Sequence, residues 1–269
     1  MQHDQLIATK GRIKQSLVHW CYAPYWDPPQ MCQVARELGC TSIEVIDPEH
    51  WPLLAEHGLT CALAGSHDFV EGLNNPKHHE ACLAKLRERI DQSADFGCPN
   101  VITFTGNRDG MPEEVGLDNC VKGLKRIIGH AERRKVNLCL EMLNSRVDVE
   151  MKGHPDYMGD HIDWCIELVK RVGSERMKVL FDIYHVQIMD GDVITRLRQH
   201  IDYIGHIHTA GVPGRFELDG RQELNYRAIM ETLAELNYQG YVGQEFFPSR
   251  PTREFALESL RRAVELCDV

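Results

Sequence analysis

Residues 137–143 read Asn137-Leu138-Cys139-Leu140-Glu141-Met142-Leu143, and residues 178–185 read Lys178-Val179-Leu180-Phe181-Asp182-Ile183-Tyr184-His185. Each is a short apolar run interrupted near its end by one carboxylate. Between them, residues 157–172 carry the spacing of an amphipathic helix. A strand, a helix and a second strand in this order pair their strands in parallel through a right-handed crossover.

Outward from this unit the same alternation fills the chain. Eight strand candidates fall at residues 16–20, 42–46, 60–65, 100–105, 137–143, 178–183, 203–209 and 241–246. Helical patterns separate them, such as 112–134 and 76–96, where Cys82, Leu83, Leu86 and Ile90 recur at helix spacing. Gly39, Gly58, Gly97, Gly173 and Gly240 stand where helices should stop before the next strand. Eight such repeats close into a barrel. The expected fold is therefore α/β, a single (β/α)8 TIM barrel spanning 1–269 as one domain. The alternative is a doubly wound open sheet, which often carries a glycine-rich phosphate loop after its first strand. The first turn here, Cys21-Tyr22-Ala23-Pro24-Tyr25-Trp26, is no such loop.

Composition narrows the function. Hydrophobic residues make up 43% and charged residues 26%, which fits an ordinary globular domain. The net charge of −10, from 30 Lys and Arg against 40 Asp and Glu, repels phosphate backbones and argues against a nucleic-acid partner. No apolar run approaches the length of a membrane span, and residues 1–14 lack the apolar centre of a secretory signal. A cytoplasmic location with no membrane partner is expected. None of the ten Cys forms a C-x-x-C pair, so buried reduced thiols are expected.

In a barrel, chemistry sits at the carboxyl ends of the strands. The last four strand candidates each carry a capable residue there: Glu141, Asp182, His208 in Ile204-Gly205-His206-Ile207-His208-Thr209, and Glu245 in Tyr241-Val242-Gly243-Gln244-Glu245-Phe246-Phe247. Consecutive barrel strands are neighbours, so these four should converge at the mouth. A bare charge in an apolar strand is costly unless it is paired or metal-bound. Three carboxylates and an imidazole suit Mn²⁺, Mg²⁺ or Co²⁺, with Zn²⁺ as an alternative. Taken singly, a strand-end acid could instead cap the next helix or pair with an Arg.

Other residues gather around this set. His185 is a candidate substrate donor or a helix cap, and His206, one pleat deeper, a structural residue. Arg215, in Val212-Pro213-Gly214-Arg215, could clamp a carboxylate or carbonyl, or form a plain surface ion pair. His67 and Glu44 point more weakly to the mouth. Tyr22, Trp26, Phe246 and Phe247 could wall a pocket or fill the core, and His154 and Asp156 could belong to a lid.

At these residues the chain resembles the xylose-isomerase-like barrels, most of all their hydroxypyruvate isomerase branch, with the ketose 3-epimerases close by. The resemblance runs through the whole chain. It is most specific over His206-Ile207-His208-Thr209-Ala210-Gly211-Val212-Pro213-Gly214-Arg215 and the later Glu223-Leu224-Asn225-Tyr226. Phe181-Asp182-x-x-His185 and Gln244-Glu245-Phe246 match the wider family. The resemblance implies a divalent metal held by Glu141, Asp182, His208 and Glu245, with the two glutamates as the acid–base pair. It further implies substrate binding by His185 and Arg215, and His67 is grouped with them. One residue departs: the hydroxypyruvate isomerase branch commonly carries Gln where this chain has His208, which is the epimerase-like choice. The segment Asn144-Ser145-Arg146-Val147-Asp148 matches neither branch.

The expected function is a metal-dependent isomerase of a small hydroxy-carbonyl, sugar-like substrate, acting through an enediolate, with hydroxypyruvate to tartronate semialdehyde as the leading reaction. Other readings stay open: a ketose 3-epimerase, a lyase or hydratase on an oxidised sugar, a metal-dependent phosphodiesterase, or a non-catalytic sugar-binding barrel. A homo-oligomer is also left open.

Overall fold

The computed structural model describes residues 7–269. Seven strands form among them: β1 (Lys14–Val18), β2 (Ser42–Glu44), β3 (Asn100–Thr103), β4 (Asn137–Glu141), β5 (Met177–Asp182), β6 (Ile204–Thr209) and β7 (Tyr241–Gln244). Helices lie between them, and no described helix is long and apolar enough to cross a membrane.

The chain divides into two compact units. One holds the described residues up to Ala62, Val193–Ile201 and Ile207–Val269; the other holds Leu63–Asp192 and Asp202–His206. In the first unit β1 pairs with β2 and β7, and β7 pairs with the end of β6, all in parallel. In the second unit β4 lies between β3 and β5, again in parallel. The strands are apolar runs such as Leu17, Val101, Leu138, Val179 and Val242, each fully buried. Burying one such side chain contributes roughly 1.5–3 kcal/mol.

The eight-strand expectation is corrected at residues 60–65, which form no strand. Two isolated parallel bridges stand there instead, Thr60 with Ser42 in one unit and Ala64 with Val101 in the other. The cause is local. The amide of Ala62 donates to the Ser42 hydroxyl at 2.8 Å rather than to a ladder carbonyl, so regular pairing stops after two residues. The helical pattern at 112–134 is likewise two helices, Glu113–Lys125 and Ile128–Arg134. The helix expected from residue 157 begins only at Ile162, because Tyr157 forms an isolated antiparallel bridge with Asn107 and the backbone is still extended at His161.

Caps fix the helices that follow the important strands. Asp182 caps the helix Ile183–Met189, and Asn225 caps Tyr226–Glu235. All ten cysteines are free and buried, as expected. Burial pushes the thiols of Cys40 and Cys267 up to about 12, so they stay protonated and inert.

Candidate active site

In the first unit the register sets the geometry. His208 of β6 is opposite Gly243 of β7, and Glu245 lies two residues beyond Gly243, so His208 and Glu245 share a face. Nδ1 of His208 lies 3.0 Å from a Glu245 carboxylate oxygen. That same oxygen accepts from Nη2 of Arg215 at 2.5 Å. Arg215 is not a surface ion pair: it is 2% exposed and its guanidinium lies 5.4 Å from the Trp20 ring centroid. Trp20 meets Phe247 edge-on at 5.3 Å, which braces the stack. On the other side of the His208 ring, Nε2 lies 2.7 Å from Glu44. Glu44, read only weakly from sequence, is thus a direct partner of His208.

The second unit repeats the arrangement. Glu141 ends β4 opposite Leu180 of β5, and Asp182 follows two residues later, so Glu141 and Asp182 also share a face. Both are buried. Asp182 does cap the next helix, but with one oxygen: Oδ1 accepts from the amides of Tyr184 at 2.7 Å and His185 at 3.3 Å. Its Oδ2 lies 3.5 Å from Nε2 of His185. The cap thus engages Oδ1, and Oδ2 is the oxygen turned to His185. The Tyr157 hydroxyl donates to the carbonyl of Glu141 at 2.9 Å and accepts from the amide of Thr105 at 2.9 Å, which pins the end of β4. Burial raises the Tyr157 phenol well above its ordinary value, so it keeps its proton for that bond.

His185 is fully buried, and Nδ1 accepts from the Asn144 backbone amide at 2.9 Å. The Asn144 side-chain amide reaches the same nitrogen at 2.6 Å and also donates to the carbonyl of Lys152. Asn144 lies in a segment whose sequence matches neither branch, so no motif marks it. Its signal is physical: a buried amide that ties residues 144–153 to the imidazole. Gly153 makes the closure feasible, since a Cβ there would sit 2.1 Å from the carbonyl oxygen of Val147.

The other expected residues fall as follows. His67 has both ring nitrogens engaged, Nδ1 with the carbonyl of Asp68 and Nε2 with the Thr103 hydroxyl, each at 2.9 Å. Burial pushes its imidazole down to about 4, against a smaller opposing pull from Asp68. His206 is fully buried. Tyr22, Trp26 and Phe246 pack together in the core, with Tyr22 edge-on to Phe246 at 5.7 Å. His154 packs edge-on against Phe69 at 4.5 Å, and the Asp156 carboxylate accepts from the amide of Asp109 at 2.8 Å. The motif Glu223-Leu224-Asn225-Tyr226 holds a loop: the Tyr226 hydroxyl bonds both the amide and the carbonyl of Ala210, at 3.0 and 2.7 Å.

The comparisons agree with this architecture. A Danio rerio protein provisionally named hydroxypyruvate isomerase is 36% identical over 187 residues, covering 66% of this chain and 66% of its own length. The 2-oxo-tetronate isomerase of Pectobacterium atrosepticum is 26% identical over 242 residues, covering 82% of this chain and 87% of that protein. Among solved structures, the D-psicose 3-epimerase of Clostridium cellulolyticum H10 superposes with a TM-score of 0.77 at 17% identity, over 95% of this chain and 98% of that one. At that identity the superposition speaks to fold alone. The family model of the xylose isomerase-like TIM barrels matches residues 32–264, and the chain belongs to that family.

Proposed function

We propose that this chain, working as one barrel domain, is a metal-dependent isomerase of a small 2-oxo, hydroxy-substituted acid in the cytoplasm. The leading reaction is hydroxypyruvate to tartronate semialdehyde. The reading rests on Glu141, Asp182, His208 and Glu245. Each is buried at the carboxyl end of one of four strands, and each offers a ligand atom to a metal ion. Three oxygen donors and one imidazole form a set that fits Mn²⁺, Mg²⁺ or Co²⁺, with Zn²⁺ as the alternative. Buried carboxylates in such number are costly without a cation.

A bound divalent ion would act as a Lewis acid, neutralising charge that develops on the substrate oxygens. The protein supplies the remainder. One of Glu141 and Glu245 removes the proton beside the carbonyl, and the other returns a proton. Delivery to the neighbouring carbon isomerises the substrate. His185, with its proton on Nε2, donates to the developing enediolate oxygen. We assign the Arg215 guanidinium to the substrate carboxylate, a group that hydroxypyruvate and a 2-oxo-tetronate share. His67 meets the substrate only as wall, because its nitrogens are already engaged. No nucleic acid or membrane takes part.

A second reading has one specific observation in its favour. The ligand on β6 is His208, the epimerase-like choice, and reprotonating the opposite face of the same carbon would give a ketose 3-epimerase from the same intermediate. Product analysis by NMR separates the two. Incubation with hydroxypyruvate should yield tartronate semialdehyde. A C3-epimerised ketose from fructose or tagatose, with hydroxypyruvate untouched, would replace the first reading by the second.

A further inference from the structure

β2 ends at Glu44, yet β2 does not pair with the strand that carries His208. The ladder runs β2-β1-β7-β6, so two strands separate them. An ordinary side chain on β7 at this level would block the way. The residue there is Gly243, the register partner of both His208 and Ser16. A Cβ on Gly243 would lie 2.5 Å from Oε1 of Glu44 and 2.9 Å from Cδ2 of His208. The missing side chain is the passage through which the carboxylate reaches the imidazole. The contact so made is 2.7 Å from Oε1 of Glu44 to Nε2 of His208, with both residues buried.

A carboxylate accepts, so Nε2 of His208 carries a proton toward Glu44, and Nδ1 is the nitrogen that a metal ion would take. It is Nδ1 that faces the Glu245 carboxylate at 3.0 Å. A divalent ion bound there would displace any proton on Nδ1 and join the imidazole to the carboxylate. We propose that Glu44 is a positioning residue: through Gly243 it fixes the His208 tautomer and ring plane so that Nδ1, together with Glu245, is presented to the divalent ion. This rests on the metal-dependent reading above. A carboxylate on the far nitrogen of a ligating imidazole also raises its basicity, and losing such a partner typically lowers metal affinity by about 10–100-fold.

The experiment is a Mn²⁺ titration of chelator-stripped full-length protein, followed by the EPR signal of free Mn²⁺, for wild type, Glu44→Ala, Glu44→Gln and Gly243→Ala. Long-range ¹H–¹⁵N NMR of the imidazoles in metal-free protein reads the His208 tautomer. Glu44→Ala should raise the Mn²⁺ dissociation constant by about 10–100-fold with its circular dichroism unchanged. Glu44→Gln keeps an acceptor of the same shape and should show a smaller rise in the same direction. Gly243→Ala should weaken binding while leaving the carboxylate in the sequence. Wild-type affinity in Glu44→Ala, or in Glu44→Gln should the alanine variant not fold, would overturn the proposal, as would a wild-type His208 whose Nε2 carries no proton. Failure of the wild type itself to bind Mn²⁺ would remove the metal reading as well, so the two failures are distinct.

Discussion

The backbone N–H of Asn144 donates to Nδ1 of His185 over 2.9 Å, and this one bond determines what His185 can do. A backbone amide cannot act as an acceptor, so Nδ1 stays unprotonated and the ring proton resides on Nε2. His185 is thereby a neutral donor whose other nitrogen is held by the segment that follows β4. Asn144→Ala keeps the backbone bond but removes the side-chain bonds to His185 and Lys152. Leaving such buried partners unsatisfied costs about 1–3 kcal/mol, to be read as a lower urea midpoint. His185→Ala removes the donor itself and should lower kcat by about a hundredfold or more. Wild-type kcat in that variant would remove His185 from the reaction.

The two glutamates carry the proton transfer. Glu141→Gln and Glu245→Gln should each lower turnover by about a hundred- to ten-thousand-fold while the far-ultraviolet circular dichroism stays that of wild type. Near-normal turnover in either variant refutes its role as acid or base.

Arg215 is held by shape as well as charge. Its guanidinium lies over Trp20 and reaches Glu245, a combination that a lysine ammonium cannot reproduce. Arg215→Lys should cost about 1.5–3 kcal/mol in kcat/KM, roughly ten- to a hundredfold, the amount typical of a hydrogen bond to a charged group. An unchanged kcat/KM would show that any positive charge suffices there.

His67 makes stability depend on pH. Its folded value is about 4 against an ordinary 6.5, because burial disfavours the charged ring. Below 6.5 the unfolded chain takes up a proton that the folded chain does not. Its contribution is therefore fully present above that value and is lost as pH falls towards 4. His67→Asn, compared with wild type by urea unfolding near pH 7 and near about pH 4.5, should show a shallower acid loss. Equal losses in the two proteins would mean that His67 is not the group responsible.

Much of this could be read from the chain before folding. The apolar runs around Glu141, Asp182 and His208 stand out because they are regular strands broken by chemically capable residues, one acid in each of the first two and His206 with His208 in the third. Residues 60–65 have the pattern of a strand without forming one, because the Ser42 hydroxyl takes the Ala62 amide, and no local pattern reports a bond to a side chain 20 residues away. The Glu44–His208 contact spans 164 residues and depends on a glycine in a third strand. Asp182 shows a different limit. A strand-end acid in a sequence does not say which of its two oxygens caps, and here Oδ1 alone does so.

The most direct measurement is deuterium incorporation from heavy water into hydroxypyruvate, followed by NMR, using chelator-stripped protein with and without added Mn²⁺. Proton abstraction beside a carbonyl at a metal centre predicts exchange that is absent from the stripped protein, restored by Mn²⁺, and lost again in Glu141→Gln or Glu245→Gln. Exchange at the same rate without metal, or none with metal across hydroxypyruvate, fructose, tagatose and psicose, would contradict it.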